Sequence, residues 1–221
     1  MKLNIINWLI NIFFPQQCLQ CQSIQKNRVC DTCFTRVFEK NSYKKGQLQI
    51  TPKMQLIDYY YYFLYEGPIK EILHDIKFKK SIALATQFSK QFSTLSLPSE
   101  IDHNWIIIPI PSHANRIKER GFNHISVLFQ DFVTHHTLKI MPILRRKKHT
   151  KALFGLNSQQ RQDELESAFE VLFPEHIRNQ NIILIDDIIT SGATIAQAHD
   201  LLVQHGAAQV KALSIAFTPL S

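Results

Sequence analysis

The sequence lacks any run of about 18 consecutive apolar residues, so it holds no segment able to cross a membrane as a helix. It also lacks internal repeats and low-complexity tracts. Charged residues make up only 19% of the chain and hydrophobic residues 45%. That balance is typical of a globular protein and excludes a disordered one. The 221 residues suffice for one sizeable core and a small appendage.

The apolar segment at residues 3–14 lacks the features of a secretory signal peptide. Asn4, Asn7 and Asn11 interrupt it, and no small-residue cleavage site follows. The three asparagines recur at helical spacing, which predicts an amphipathic helix with one broad apolar side. We expect this helix to pack on its own protein, with a membrane surface as the alternative. The protein is therefore expected in the cytoplasm, with the inner face of the membrane as the alternative location.

Cysteine is scarce, and its four copies share one short stretch as Cys18-x2-Cys21 and Cys30-x2-Cys33. A disulfide framework needs an oxidising compartment, and nothing in the sequence indicates export. Each Cys-x2-Cys pair can place two sulfurs on one metal ion through a tight turn. Four thiolates form a closed tetrahedral site, which is typical of structural Zn²⁺. The pattern therefore predicts a zinc ribbon, whose role is either to clamp the N-terminal helix to the main domain or to present a binding surface.

The most informative stretch is residues 182–194, in which an apolar β-branched run precedes Asp186 and Asp187. We predict a buried strand over 182–185, then the two acids, a loop of small residues and a helix. Backbone N–H groups and hydroxyls at such a helix N-terminus bind phosphate. Two carboxylates would repel phosphate and suit neighbouring sugar hydroxyls, so the ligand indicated is a ribose 5-phosphate. The loop consists of Thr190, Ser191, Gly192, Ala193 and Thr194.

Strands and helices alternate along the rest of the chain, which predicts a mostly parallel sheet covered by helices on both faces. A polar stretch at 41–53 is interpreted as a linker, so the predicted units are 1–50 and 55–221. Five tyrosines at 59–65 could stack nucleic-acid bases, but packing in the core of a strand is the commoner explanation. Further strands are predicted at 105–111, 138–144, 169–171 and 210–217, with helices at 67–76, 81–96 and 122–132. Ligands of such sheets bind at the carboxyl ends of strands.

At residues 182–194 the chain resembles type I phosphoribosyltransferases, which bind 5-phosphoribosyl 1-pyrophosphate (PRPP). The resemblance implies that Thr190 to Thr194 hold the 5-phosphate and that Asp186 and Asp187 hold the ribose hydroxyls. Purine-salvage members place an acid, their general base, where this chain has Thr190. A threonine hydroxyl cannot act as that base near pH 7, which argues against a 6-oxopurine salvage enzyme.

The resemblance extends over most of the chain to the ComF/GntX family, because several short motifs occur in that family's order. The family combines a zinc-binding segment with a phosphoribosyltransferase-like domain, and its competence members are linked to DNA uptake in natural transformation. Leu153 and Glu164 depart from the family's usual glutamine and asparagine. The shared motifs are the cysteine pairs, Tyr65-Glu66-Gly67, Lys77-Phe78, Pro109-Ile110-Pro111, Arg116-x3-Arg120-Gly121-Phe122-Asn123, Arg145-Arg146 and the 182–194 motif.

Binding PRPP requires a second anion site for its pyrophosphate. Arg116 and Arg120 are the candidates, because guanidinium groups clasp phosphate oxygens bidentately; a solvated helix face is the alternative. Mg²⁺ would bridge pyrophosphate and ribose oxygens. The basic run that contains Arg145, Arg146, Lys147 and Lys148 corresponds to the family's mobile loop, with an ordinary exposed loop as the alternative.

Three interpretations of function stay open. The first is a PRPP-dependent transferase with an unidentified acceptor, which the missing acid at Thr190 weakens. The second is a PRPP-binding sensor without chemistry. The third is a protein that handles single-stranded DNA through its ribbon and basic loops, which the net charge of +7 supports modestly. Proteins of the competence machinery are the expected partners, through the family resemblance alone.

Overall fold

The computed structural model describes residues 17–25, 28–39, 41–50, 55–146 and 169–219. The predicted N-terminal helix, Lys147, Lys148, Leu153 and Glu164 lie outside these residues. Within the described part, no helix is both long enough and apolar enough to span a bilayer.

Eight strands and six α-helices make up the described residues. The strands are β1 (Lys44–Ile50), β2 (Gln55–Leu64), β3 (Ile106–Pro109), β4 (Lys139–Ile140), β5 (Leu144–Arg146), β6 (Phe169–Val171), β7 (Asn181–Ile189) and β8 (Gln209–Phe217). The helices are α1 (Asp31–Phe38), α2 (Gly67–Phe78), α3 (Ile82–Phe92), α4 (Ala114–Arg120), α5 (His124–His135) and α6 (Ala193–Gln204).

Six of the strands form one mixed sheet in the order β1-β2-β8-β7-β3-β4. Only the edge pair β1–β2 is antiparallel, and the other four pairings are parallel. Strands β5 and β6 form a separate antiparallel ribbon. The architecture is therefore the predicted α/β fold, with β7 between two parallel neighbours.

Alternate residues of β7 contribute to two cores, one on each face of the sheet. Ile183 and Ile185 pack in the core that α2, α3 and α5 cover, whereas Ile182 and Leu184 pack in the core that α6 covers. Strands buried on both faces have continuous apolar runs, which is why residues 182–185 are uniformly apolar. This arrangement confirms helices on both faces of the sheet.

The tyrosine-rich strand β2 packs inside the protein. Tyr60 and Tyr62 are completely buried, and Tyr59 is 6% exposed. The Tyr62 hydroxyl donates a hydrogen bond to the Ser96 carbonyl oxygen, 2.8 Å away, which satisfies its polar end. Core packing is thus confirmed as the role of these rings.

The structure corrects three local predictions. Residues 44–50, interpreted as part of a linker, form β1, which pairs along its whole length with β2. Strand β7 continues beyond the predicted end at 185 and includes both acids. The single strand predicted at 138–144 is replaced by β4 and the first residue of β5. The division into 1–50 and 55–221 stays a prediction, although the sheet begins at β1.

Candidate functional site

The loop predicted to bind phosphate connects β7 to α6 at the carboxyl edge of the sheet. Thr190, Ser191 and Ala193 are exposed, and Thr194 is half-buried. Helix α6 begins at Ala193, and its first N–H groups have no partner within the helix. An exposed, hydroxyl-rich loop ahead of a 12-residue helix is a suitable site for an anion.

Gly192 is required by the loop for two separate reasons. Its φ of +74° lies in the left-handed region, which residues with a side chain rarely adopt. A Cβ added at this position would also lie 2.7 Å from Cδ1 of Leu48, which belongs to β1. The edge strand therefore packs directly against the loop and limits the space behind it.

The two acids of β7 have different surroundings. Asp187 is 4% exposed, and its Oδ2 lies 2.7 Å from Lys77 Nζ and 2.8 Å from His124 Nε2. Asp186 is half-buried, and its Oδ1 accepts a hydrogen bond from the Asp187 N–H at 2.9 Å. The side chains that neutralise the pair thus contact Asp187.

The surroundings shift the two pKa values in opposite directions. Burial and the charge of Asp187 raise the pKa of Asp186 well above its ordinary value. Burial would likewise raise the pKa of Asp187, but the hydrogen bond from His124 and the charge of Lys77 outweigh it and lower this pKa to about 2. The pair therefore combines one firmly ionised carboxylate with one carboxyl that takes up a proton easily.

The arginine helix α4 connects to the same cluster through Arg120. Its Nε donates a hydrogen bond to the Lys77 carbonyl oxygen at 3.0 Å, and one of its terminal N–H groups contacts His124 Nδ1. Arg116 lies one turn earlier and is exposed. Arg120 is thus bound within the protein, whereas Arg116 faces solvent, and a role for either in binding pyrophosphate stays a prediction.

Arg145 and Arg146 belong to strand β5 and not to a loop. Arg145 forms an ion pair with Glu170 of β6, and the Arg146 guanidinium lies 5.4 Å from the centre of the Phe169 ring. Both arginines are therefore held on the two-stranded ribbon that flanks residues 147–168. Their predicted role in closing over a ligand is untested.

The four cysteines converge on one point. Their sulfur atoms all lie within 4.8 Å of one another, and the Cys21 and Cys30 sulfurs are 3.8 Å apart. This spacing excludes a disulfide between them, and it equals the distance of about 3.8 Å between two thiolates bound tetrahedrally at about 2.3 Å from one zinc ion. The backbone N–H groups of Gln20 and Cys30 point at the Cys18 sulfur, each 3.4 Å away. The cluster is suited to binding a metal ion.

The segment that carries the cysteines packs into the main core. Phe34 and Phe38 of α1 join the same buried cluster as Phe88 of α3, and the ring centres of Phe34 and Phe88 are 6.5 Å apart. Arg28 also forms an ion pair with the buried Asp75 of α2. These contacts hold the cysteine segment on the main domain. Its predicted role as a clamp for the N-terminal helix involves residues outside the described part and stays a prediction.

Three residues of the site were missed as participants by sequence reasoning. Lys77 was noted only as part of a shared motif, and His124 was given no role. Asn123, also part of a shared motif, precedes α5, and its buried Oδ1 has no hydrogen-bond partner among the described residues. A hydrogen-bond donor of a ligand would satisfy that oxygen.

Together, the doubly covered sheet and the β7–α6 loop define a phosphoribosyltransferase-like α/β domain of type I. The model of the phosphoribosyl transferase domain family matches residues 125–219, which include β7, the loop and α6. The chain is 24% identical to competence protein F of Haemophilus influenzae, with 92% of this chain and 98% of that protein covered. It is 30% identical to competence protein ComFC of Bacillus subtilis, covering 66% of this chain and 58% of the relative.

Relatives named DNA utilization protein YhgH are similar to the chain as well. The Shigella flexneri protein is 26% identical, and the alignment covers 66% of each chain, so the chain spans slightly less than two thirds of that relative. A solved structure described as the allosteric regulatory enzyme of purine biosynthesis aligns with a TM-score of 0.43 and 14% identity, over 59% of this chain and 26% of that one. The comparisons thus show that the chain is similar to phosphoribosyltransferase-like proteins of the ComF type.

Proposed function

We propose that the carboxyl edge of β7 binds PRPP. The observation that carries the proposal is the exposed loop Thr190 to Thr194, which opens helix α6 with Gly192 in the left-handed conformation. The 5-phosphate would accept hydrogen bonds from the N–H groups and hydroxyls of this loop. Asp186, within β7, would accept hydrogen bonds from the ribose hydroxyls.

Mg²⁺ is proposed to accompany the ligand. Carboxylate oxygens and phosphate oxygens are the donors that this ion prefers, and Asp186 supplies a half-buried carboxyl beside the loop. When bound, the ion would neutralise part of the pyrophosphate charge. Arg116, exposed on α4, would add a guanidinium on the pyrophosphate side.

The cysteine cluster is proposed to bind structural Zn²⁺ through Cys18, Cys21, Cys30 and Cys33. Four thiolates leave no open position on the ion, so this metal would stabilise the fold and take no part in chemistry. Its ligands sit on the segment that packs against α2 and α3.

The biological setting that we propose is DNA uptake. The support is the pair of similar proteins named competence protein F and ComFC, the first of which the chain matches over nearly its whole length. Single-stranded DNA is not favoured as the primary ligand, because the most regular feature of the site is a loop suited to one phosphate group. The cytoplasm is the location that this setting implies.

Titration calorimetry of the zinc-loaded protein with PRPP, with and without Mg²⁺, tests the proposal. We expect saturable binding that Mg²⁺ strengthens and that Asp186→Asn weakens at least about tenfold, as expected for loss of a charged hydrogen-bond acceptor. Glu175→Gln, an exposed acid in the turn before β7, is the matched control and should bind normally. Absence of binding by the folded wild type would overturn the proposal.

Two further measurements separate the alternatives. Release of pyrophosphate from PRPP in the presence of trial acceptors would identify a transferase, and binding without release would identify a sensor. Complementation of a Haemophilus influenzae strain that lacks competence protein F would test the setting, with Asp186→Asn expected to fail and Glu175→Gln expected to succeed.

A further inference from the structure

His124 lies between the acid pair on β7 and the arginine-bearing helix α4. It is the first residue of α5 and is 7% exposed. One ring nitrogen, Nε2, is 2.8 Å from Asp187 Oδ2 on β7, and the other, Nδ1, contacts the Arg120 guanidinium on α4. The imidazole thus bridges the acid pair and the arginine helix.

The partners of the two nitrogens fix the proton on the ring. A guanidinium can only donate hydrogen bonds, so Nδ1 must accept and carries no proton. An ionised carboxylate can only accept, so Nε2 must carry the proton and donate it in the hydrogen bond to Asp187. The two contacts together are compatible with only one form of the side chain, the neutral Nε2–H tautomer.

The charged groups around the ring come from three elements. Lys77 of α2 shares the Asp187 oxygen, Arg120 of α4 faces Nδ1, and Asp187 of β7 faces Nε2, with Asp186 beyond it. A second proton on His124 would place an N–H against the donors of Arg120 and break that contact. Protonation would therefore release Arg120 while leaving the contact with Asp187 intact.

We propose that His124 is a positioning residue which, as the neutral Nε2–H tautomer, couples the acid pair on β7 to Arg120 on α4. Asp187 is then an internal anchor, and Asp186 is the acid of the pair left to contact the ligand. The coupling to ligand binding rests on the PRPP site proposed above. The tautomer and the hydrogen bonds do not depend on it.

A glutamine at this position is the informative variant. Its amide oxygen can accept from Arg120 and its amide N–H can donate to Asp187, but it cannot titrate. His124→Gln should therefore preserve both contacts at every pH, whereas His124→Leu removes both. His135→Gln is the matched control, because His135 is an exposed histidine at the other end of the same helix.

The first measurement is an NMR correlation of the imidazole nitrogens with the ring protons near pH 7, with the His124 signals assigned by their loss in His124→Gln. The expected result is a protonated Nε2 and an unprotonated Nδ1. An Nδ1–H tautomer, or a doubly protonated ring, would overturn the proposal whether or not PRPP binds.

The second measurement is PRPP affinity as a function of pH in the wild type and in His124→Gln. The ratio of the two Kd values cancels the titration of PRPP itself. We expect similar affinities near pH 8 and a wild type at least about threefold weaker near pH 5.5, because only the wild-type ring can take up a second proton. His124→Leu should bind at least about tenfold more weakly at both pH values, as expected for two lost buried hydrogen bonds.

The outcomes distinguish the two proposals. The expected tautomer without PRPP binding would contradict the proposed function alone, and a Kd ratio that does not change with pH would contradict the coupling alone. A Kd ratio for His135→Gln that changes with pH as much would also overturn the role of His124. If His124→Leu does not fold, the NMR measurement and the pH dependence of His124→Gln still test the proposal.

Discussion

The ammonium group of Lys77 lies 2.7 Å from the carboxylate of Asp187, which joins the end of α2 to the central strand β7. The ion pair is largely buried, since the Lys77 side chain is 20% exposed and that of Asp187 is 6% exposed. Breaking a buried pair leaves an uncompensated charge, which costs more than the pair itself contributes.

Lys77→Met is expected to lower the free energy of unfolding by about 3 kcal/mol at pH 7, because Asp187 would keep only His124 as a partner. Lys79→Met is the control on the adjoining turn. The Lys79 side chain is 56% exposed, and its partner Asp75 would keep the charged Arg28, so the loss should be below about 1 kcal/mol. Urea unfolding of both variants checks this, and equal losses would contradict a special role for Lys77.

Asp186 and Asp187 are expected to affect stability with opposite signs. The lowered pKa of Asp187 stabilises the fold above the unfolded value of about 3.9, and this contribution is lost as pH falls toward 2. The raised pKa of Asp186 destabilises the fold increasingly as pH rises through its folded value. At pH 7, Asp187→Asn should lower the free energy of unfolding by about 3 kcal/mol.

Asp186→Asn should instead raise it, because the amide stays neutral beside Asp187 at every pH. Thermal unfolding at pH 7 and near pH 3 checks both signs. Near pH 3 the benefit of Asp186→Asn should vanish, because the wild-type carboxyl is then already protonated in both states. A loss of stability at pH 7 in both variants would contradict the split between the two acids.

Gly192→Ala should lower stability by about 1–2 kcal/mol or more and weaken PRPP binding, because the new Cβ combines a left-handed φ with the contact to Leu48. Gly206→Ala provides the comparison. Gly206 has a φ of +89°, but the nearest atom to its added Cβ would be Arg178 Cγ at 3.4 Å, which is an ordinary van der Waals contact. Denaturant titration should show a smaller loss there. Adding Leu48→Ala to Gly192→Ala should restore part of the lost free energy of unfolding. If it restores none, the contact between the new Cβ and Leu48 is not the cause of the loss.

Removing the metal should weaken the whole protein and not the cysteine segment alone. Cys18 and Cys33 belong to the same buried cluster as Phe88 and Leu73, so unfolding of the segment would open that cluster. We expect a strong chelator to lower the free energy of unfolding by at least about 3 kcal/mol in one cooperative transition. Calorimetry of the protein before and after chelation measures it, and a separate low-temperature transition would contradict the shared core.

The exposed loop at 190–194 ahead of α6 and the cysteine cluster could be predicted from the sequence because each is contiguous or nearly so. Gly192 and the two acids lie within a few residues of one another. The spacing of the two Cys-x2-Cys pairs by itself predicts that the four sulfurs bind one metal ion. Uniformly apolar runs such as 182–185 likewise predict strands that are buried on both faces of a sheet.

The partners of Asp187 could not be predicted in the same way. Lys77 ends one helix and His124 begins another, and each is a single polar residue whose local pattern is that of a helix end at the surface. Only the packing of α2 and α5 on one face of the sheet brings them to β7. Strand β1 was missed for a related reason: an edge strand tolerates lysines and polar residues, so its sequence resembles a linker.

The cysteine segment and the sheet share one core, so neither part can be removed or transferred without exposing apolar surface. Phe34 and Phe38 fill space against Phe63 and Phe88, so cutting the chain after residue 38 would uncover a patch of aromatic surface on the remaining protein. The two parts are therefore expected to be inherited and expressed together. A shortened version that begins at β1 should aggregate, and grafting the segment alone onto another protein should yield an unfolded tail.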